Sequence, residues 1–285
     1  MARTSTFLAR TAAVLALALT AGCSGETDAE PQAEPDPTTT VSSDPSPAPE
    51  PLDLLVIGDS IPYNAPEDCP GCTAFADLYA QELEGATGET VEVFNFSDHT
   101  GLTVDGLLEG LPALEQYLTE ADAIVVGIAH NSFELSTERP CGEPLTDEGM
   151  PQWDAVDAAC ATDAAARHRP TYDRLYDRIA AAREGQPTLL VTLNRYNDWI
   201  GWQEGDLTPD EERRTAVLLK AWNAMLCETA ASHGFTCADV AQAFNGADGL
   251  RPSGRLLADD YTHPSQAGND VIADVLVDIG FDPLA

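Results

Sequence analysis

The chain has 285 residues, 44% of them hydrophobic and 22% charged, and carries a formal net charge of −34 with a single lysine, Lys220. Charge of that sign excludes nucleic acid and anionic lipid headgroups as partners held by electrostatics, and it disfavours anionic polymers as substrates. The length beyond residue 51, about 234 residues, suffices for one substantial hydrophobic core.

Arg3 and Arg10 precede the apolar run Ala12–Leu19, and small residues then lead to Cys23. Residues 1–22 read as a secretory signal peptide, whose apolar stretch is too short to span a membrane. The ending LTAGC resembles a bacterial lipobox, which implies lipidation of Cys23 and anchoring at the outer face of the cytoplasmic membrane. Ordinary cleavage nearby would instead leave a secreted protein. Residues 24–51 hold seven Pro, seven Asp or Glu, and no Lys or Arg. Such a segment cannot bury enough apolar surface to offset its ordering entropy, so residues 23–51 are expected to be a disordered tether. The folded domain then runs over 52–285.

Leu52–Ile57 reads as a buried strand, and Phe75, Leu78, Tyr79 and Leu83 have helical spacing over Ala74–Leu83. Val91–Phe96 alternates like a strand. Val104, Leu107, Leu108, Leu111, Leu114 and Leu118 form one helical stripe. Ala123–Ile128 is a short strand, followed by a Cys- and Pro-bearing loop over 131–152. Residues 153–183 read as helix with a break or restart at Pro170. Thr188–Leu193 is the fourth strand, 209–232 a helix with Pro209 in its first turn, Phe235–Val240 a fifth strand, and Ser265–Ile279 the last helix. Alternation of this kind predicts an α/β fold: a parallel sheet of about five strands with helices on both faces. Functional groups in such a sheet gather beyond the strands' carboxyl ends.

Six cysteines remain beyond Cys23, and an even number in an exported chain implies disulfides. Six allow fifteen pairings; the expected set pairs sequence neighbours, Cys69–Cys72, Cys141–Cys160 and Cys227–Cys237. Cys69-Pro-Gly-Cys72 has the spacing of a redox dithiol, but no thioredoxin-like βαβ unit surrounds it. No histidine stands at zinc-ligand spacing beside any cysteine pair, so no metal is expected there.

The strand ends carry distinct chemistry. Gly58-Asp59-Ser60 follows the first strand, Asn95 to Gly101 the second, His130-Asn131 the third, and Asp260-Tyr-Thr-His263 precedes the last helix. A serine nucleophile needs a base, a group to orient that base, and donors for the oxyanion. Ser60, His263 and Asp260 supply the nucleophile, the base and the orienting group. The amides of Ser60 and Gly101 and the side chain of Asn131 supply the donors. His99 and His130 flank this site and are expected to be hydrogen-bonded loop histidines. Tyr196, Trp199 and Trp202, in the loop after the fourth strand, are candidates for lining a substrate pocket. No Gly-x-Ser-x-Gly, Ser-x-x-Lys, P-loop or Gly-x-Gly-x-x-Gly motif is present.

These four blocks, in this order, resemble those of the SGNH (GDSL) hydrolase superfamily over essentially all of 52–285. The resemblance implies a flavodoxin-like three-layer α/β/α fold and serine-dependent hydrolysis of carboxylic esters, of esterase or lipase type, without a cofactor or metal. On matching positions it makes Ser60 the nucleophile, His263 the base, Asp260 its orienting acid, and Gly101 and Asn131 oxyanion donors. Carbohydrate O-deacetylation and non-catalytic binding are the alternatives on the same fold. The expected partner is an ester substrate, with membrane contact through the lipid anchor only, and the chain is expected to be a monomer. Two departures stand out. The third block, usually Gly-x-Asn-Asp, reads Ala129-His130-Asn131-Ser132, and the stretch before Gly101 is one residue longer than usual, which makes Gly106 the alternative donor.

Overall fold

The computed structural model describes residues 50–132, 141, 153–200 and 207–285. The expected signal peptide, Cys23, the tether, most of the 131–152 loop and Trp202 lie outside the described residues. No helix among the described residues is long and apolar enough to cross a membrane.

Five parallel strands make the sheet: β1 (Leu52–Gly58), β2 (Val91–Asn95), β3 (Ala123–Gly127), β4 (Leu189–Leu193) and β5 (Thr236–Ala238). Their spatial order is β2-β1-β3-β4-β5. The described helices are α1 (Ser60–Tyr63), α2 (Phe75–Thr87), α3 (Val104–Gly110), α4 (Glu115–Glu120), α5 (Ala158–Ala182), α6 (Pro209–Ser232), α7 (Val240–Asn245) and α8 (Gln266–Asp278). Side chains alternate across a strand, so β1 feeds two cores. Leu54 and Val56 pack with Phe75 and Leu83 of α2, Phe244 of α7 and Ile272 of α8. Leu55 and Ile57 pack with Leu107 of α3, Leu118 of α4, Tyr172 of α5 and Trp222 of α6. With both faces covered, β3 and the Leu54–Gly58 part of β1 are continuous apolar runs rather than alternating ones, as a buried parallel sheet requires. The result is the three-layer α/β/α fold that the alternating elements predict.

Three local departures have physical causes. The stripe 104–118 is not one helix: a 3₁₀ turn, Leu111–Leu114, separates α3 from α4. Pro112 sits in that turn, lacks an amide proton and would clash with the preceding turn of a continuous α-helix. Pro170, by contrast, does not break α5, which runs unbroken through it. Pro170 and Ala166 are exposed, so the carbonyl that Pro170 leaves unpaired faces water, while Ala165 and Tyr172 clamp the helix to the core on either side. The fifth strand ends at Ala238, because the Asp239 side chain accepts the Gln242 amide at 3.1 Å and starts α7, a helix not anticipated from the sequence. A capping box fixes the start of α6: Thr208 accepts the Glu211 amide, and the Glu211 carboxylate accepts the Thr208 amide at 2.7 Å. Cys69–Cys72, Cys141–Cys160 and Cys227–Cys237 are bonded, with Cα separations of 5.5, 5.5 and 5.4 Å.

Candidate active site

The sheet grows outward from β1 in both directions, to β2 on one side and β3 on the other, so the crevice at the carboxyl ends of β1 and β3 is its topological switch point. Ser60 stands at the end of β1, and Asn131 lies four residues past β3. Gly58 and Gly127 are register partners there. A Cβ on Gly58 would lie 2.0 Å from the Gly127 carbonyl oxygen and 2.7 Å from Pro62 Cγ. Only glycine lets α1 fold back this tightly over the strand ends.

Asp59 organises both ends. Its Oδ1 caps α1 by accepting the Ile61 amide at 3.1 Å, and its Oδ2 accepts the amides of Ala129 (3.1 Å) and His130 (2.9 Å). The side chain is fully buried. Burial pushes its carboxyl up to about 6, against the pull of the amides of Ile61, His130, Ala129 and Asn131. Ser60 is thus held as the first residue of a capped turn, next to a loop tied to the same carboxylate.

Past β3, the side-chain amide nitrogen of Asn131, Nδ2, is buried and has no partner. Ser132, which stands where the family pattern has Asp, accepts the Val104 amide at 2.9 Å and donates to the Ile128 carbonyl at 3.2 Å. Its hydroxyl therefore fastens the Asn131 loop to the start of α3. His130 is tilted against Tyr196 with ring centroids 4.4 Å apart. Burial, the Arg195 charge and His263 hold its pKa well below the usual value, so it is neutral.

After β2 the chain stays beside the first strand, with the Asp98 amide donating to Gly58 O at 2.9 Å. Gly101 follows in an exposed turn with φ of 84°. Gly106 is not available as an oxyanion donor, because Thr103 caps α3 and its Oγ1 accepts the Gly106 amide at 3.3 Å. That leaves Gly101 as the candidate from this segment. His99 is a hydrogen-bonded loop residue, as expected, paired with Asp68 at 2.9 Å.

Asp260 and His263 share one turn. Asp260 Oδ1 accepts the amides of Thr262 and His263, each at 3.0 Å, and its Oδ2 accepts from His263 Nδ1 at 2.5 Å. Tyr261 between them takes a left-handed φ of 62°. Burial alone would raise the Asp260 carboxyl, but the hydrogen bonds from His263 and Thr262 and the His263 charge hold it below the usual carboxylate value. His263 Nε2 is buried and has no hydrogen-bond partner, so the described hydrogen bonds join it neither to Ser60 nor to any other group. The loop bearing His263 is nevertheless stitched to the turn bearing Ser60. The buried Asn269 amide donates to Asn64, the C-cap of α1, at 3.1 Å and to the carbonyls of Pro264 and Ser265. Ring contacts run the same way, Tyr63 to His99 at 5.6 Å and His99 to His263 at 5.8 Å.

Sequence reasoning did not anticipate Asp68. Its Oδ2 lies 3.4 Å from His263 Nδ1, facing the same nitrogen as Asp260. Only the turn ahead of Cys69–Cys72 places it there, and no motif marks it. Tyr196, a candidate for lining a substrate pocket, is a buried residue that supports the His263 loop. It is 1% exposed, stacks on Phe244 at 4.4 Å, and its hydroxyl donates to the Thr262 carbonyl at 2.5 Å, beside His263. Trp199 lies against the Arg195 guanidinium at 4.3 Å and against Trp153 at 5.4 Å. A cavity of about 430 Å³ lined by Asn194, Asn223, Asp239 and Asn245 lies beside β4 and β5 and touches neither Ser60 nor His263.

The fold recurs in solved structures. A lipase, Lip_vut3, from a goat rumen metagenome is 18% identical, with 82% of this chain and 100% of that one covered at a TM-score of 0.64. An extracellular lipase from Streptomyces rimosus is 18% identical, covering 79% of this chain and 98% of that one at 0.53. A phospholipase A1 from Streptomyces albidoflavus NA297 is also 18% identical, covering 80% and 98% at 0.53. Comparison with curated protein sequences gave no significant match. A sequence model of the GDSL-like lipase/acylhydrolase family spans residues 56–271, from Val56 in β1 to Val271 in α8, and the chain therefore belongs to that family and is a carboxylic ester hydrolase.

Proposed function

We propose that the chain hydrolyses its ester through an acyl-enzyme on Ser60, with His263 as base and Asp260 orienting it. One observation carries the reading. The His263 ring is fixed through Nδ1 by Asp260, while its buried Nε2 is left without a partner on a loop that Asn269 ties to the Ser60 turn. A carboxylate on Nδ1 holds the proton there and leaves Nε2 as the lone-pair nitrogen, the form a general base requires.

In this mechanism the Ser60 hydroxyl attacks the ester carbonyl as His263 Nε2 takes its proton. Negative charge then develops on the carbonyl oxygen. The unpartnered Asn131 amide and the backbone amides of Ser60 and Gly101 donate to it. The imidazolium, paired with ionised Asp260, protonates the leaving alkoxide. Water, deprotonated by His263, releases the acid and restores Ser60. The altered third block does not argue for a binding module, because Ala129 and Ser132 each serve in holding the Asn131 loop. An esterase or lipase is favoured over a sugar deacetylase, because Tyr196 and Trp199 are engaged in packing. Export with lipidation at Cys23 belongs to the same proposal, and mass spectrometry of the mature N-terminus tests it.

A fluorophosphonate probe should label wild-type protein at Ser60. Ser60→Ala should lose both labelling and turnover of a short p-nitrophenyl ester while keeping its far-UV circular dichroism. Turnover retained in that variant would refute the assignment.

A further inference from the structure

Asp68, His99 and His263 bring three metal-ligating atoms within 4.8 Å of one another. Asp68 Oδ2 lies 2.9 Å from His99 Nε2 and 3.4 Å from His263 Nδ1. Tetrahedral zinc, with bonds of about 2.0–2.2 Å to nitrogen and oxygen, sets its donors roughly 3.3–3.5 Å apart. Small side-chain shifts therefore suffice, and the three side chains are only 14%, 32% and 17% exposed. Two imidazoles and one carboxylate favour zinc over magnesium or calcium, which prefer all-oxygen sites. The formal charge of −34 raises the local concentration of any divalent cation.

We propose that Asp68, His99 and His263 form an inhibitory zinc site, a reading that rests on His263 being the general base. Zinc on His263 Nδ1 takes the position of the proton now shared with Asp260. The neutral ring then carries its proton on Nε2, which can no longer accept one from Ser60. On His99 the proton moves likewise from Nε2 to Nδ1, which faces Glu67 Oε1 at 3.9 Å. No proton is gained or lost; both rings change tautomer. Asp260 Oδ2, released from its hydrogen bond 2.5 Å from Nδ1, is placed to approach the metal. The metal thus blocks the base without touching Ser60.

The test titrates the full chain with zinc chloride in a non-coordinating buffer, following heat of binding and ester turnover together. Wild type should bind a single zinc and lose turnover as the site fills, with EDTA restoring it, and magnesium should do neither. His99→Gln should keep its zinc-free turnover, which also proves it folded, and should bind zinc ~100-fold more weakly. Ser60→Ala should bind zinc as wild type does. Its heat of binding is independent of turnover, so failure of the zinc site and failure of the Ser60 assignment are read separately. Zinc inhibiting His99→Gln and wild type at the same concentration, or zinc bound through His99 without inhibition, would overturn the proposal.

Discussion

The Asp59 carboxylate, at the end of β1, accepts the His130 amide at 2.9 Å across the switch point of the sheet. A single buried acid thereby sets both the turn that presents Ser60 and the loop that presents Asn131. In Asp59→Asn, one of the two acceptor oxygens becomes an NH₂ facing backbone N–H donors. The expected result is a fall in kcat of at least ~10-fold with a stability loss of about 1–3 kcal/mol at neutral pH. Steady-state kinetics and urea denaturation check both halves.

The same residue makes a pH prediction. Burial pushes the folded-state value of Asp59 up to about 6, from an ordinary 3.8. A group with a raised folded value adds stability that is fully present below its unfolded value and lost as pH rises through its folded one. Wild type should therefore gain on Asp59→Asn as pH is lowered from 7.5 to 4, by up to roughly 3 kcal/mol, since each tenfold change in proton affinity on folding is worth about 1.4 kcal/mol. Urea midpoints for both proteins across this window measure it. A difference that stays flat with pH would show Asp59 ionising at its ordinary value.

Asn131 has a buried amide with no partner, an arrangement that costs stability unless a ligand uses it. Asn131→Ala should lower kcat by ~10²–10³-fold with little change in KM. Thermal unfolding of the variant should show a midpoint no lower than that of wild type. A large stability loss with intact kcat would make Asn131 a structural residue.

Asp260→Asn should lower kcat by ~10²–10⁴-fold, since the amide no longer selects the tautomer with the proton on Nδ1. A loss of only a few-fold would mean that Asp68, 3.4 Å from the same nitrogen, takes over the orienting role.

Gly58→Ala places a methyl 2.0 Å from the Gly127 carbonyl oxygen, in contact with backbone that cannot move without parting β1 from β3. The expected cost is ~3 kcal/mol or more, and soluble yield should drop with it. Wild-type melting behaviour in this variant would show that the strand ends of β1 and β3 can move apart at little cost.

The sequence by itself determined the layers and the order of the strands' functional loops. Runs such as Leu54–Ile57 and Ala123–Gly127 are apolar without alternation because both faces are covered, and that signal is local. Asp260 and His263 were equally legible, since three residues of separation already confine them to one turn. Helix ends were less so: Pro112 broke a stripe that read as continuous, while Pro170, equally exposed, was tolerated inside a helix clamped to the core on either side, and nothing in the local sequence separates the two cases. Everything that depends on distant segments meeting was decided by the tertiary structure. Asn269 joins Asn64 across 205 positions, Asp68 arrives beside His263, and Tyr196 turns inward to hold Thr262. Such contacts are made by packing two cores against one sheet, and the spacing of residues along a chain carries no record of which side chains that packing brings together.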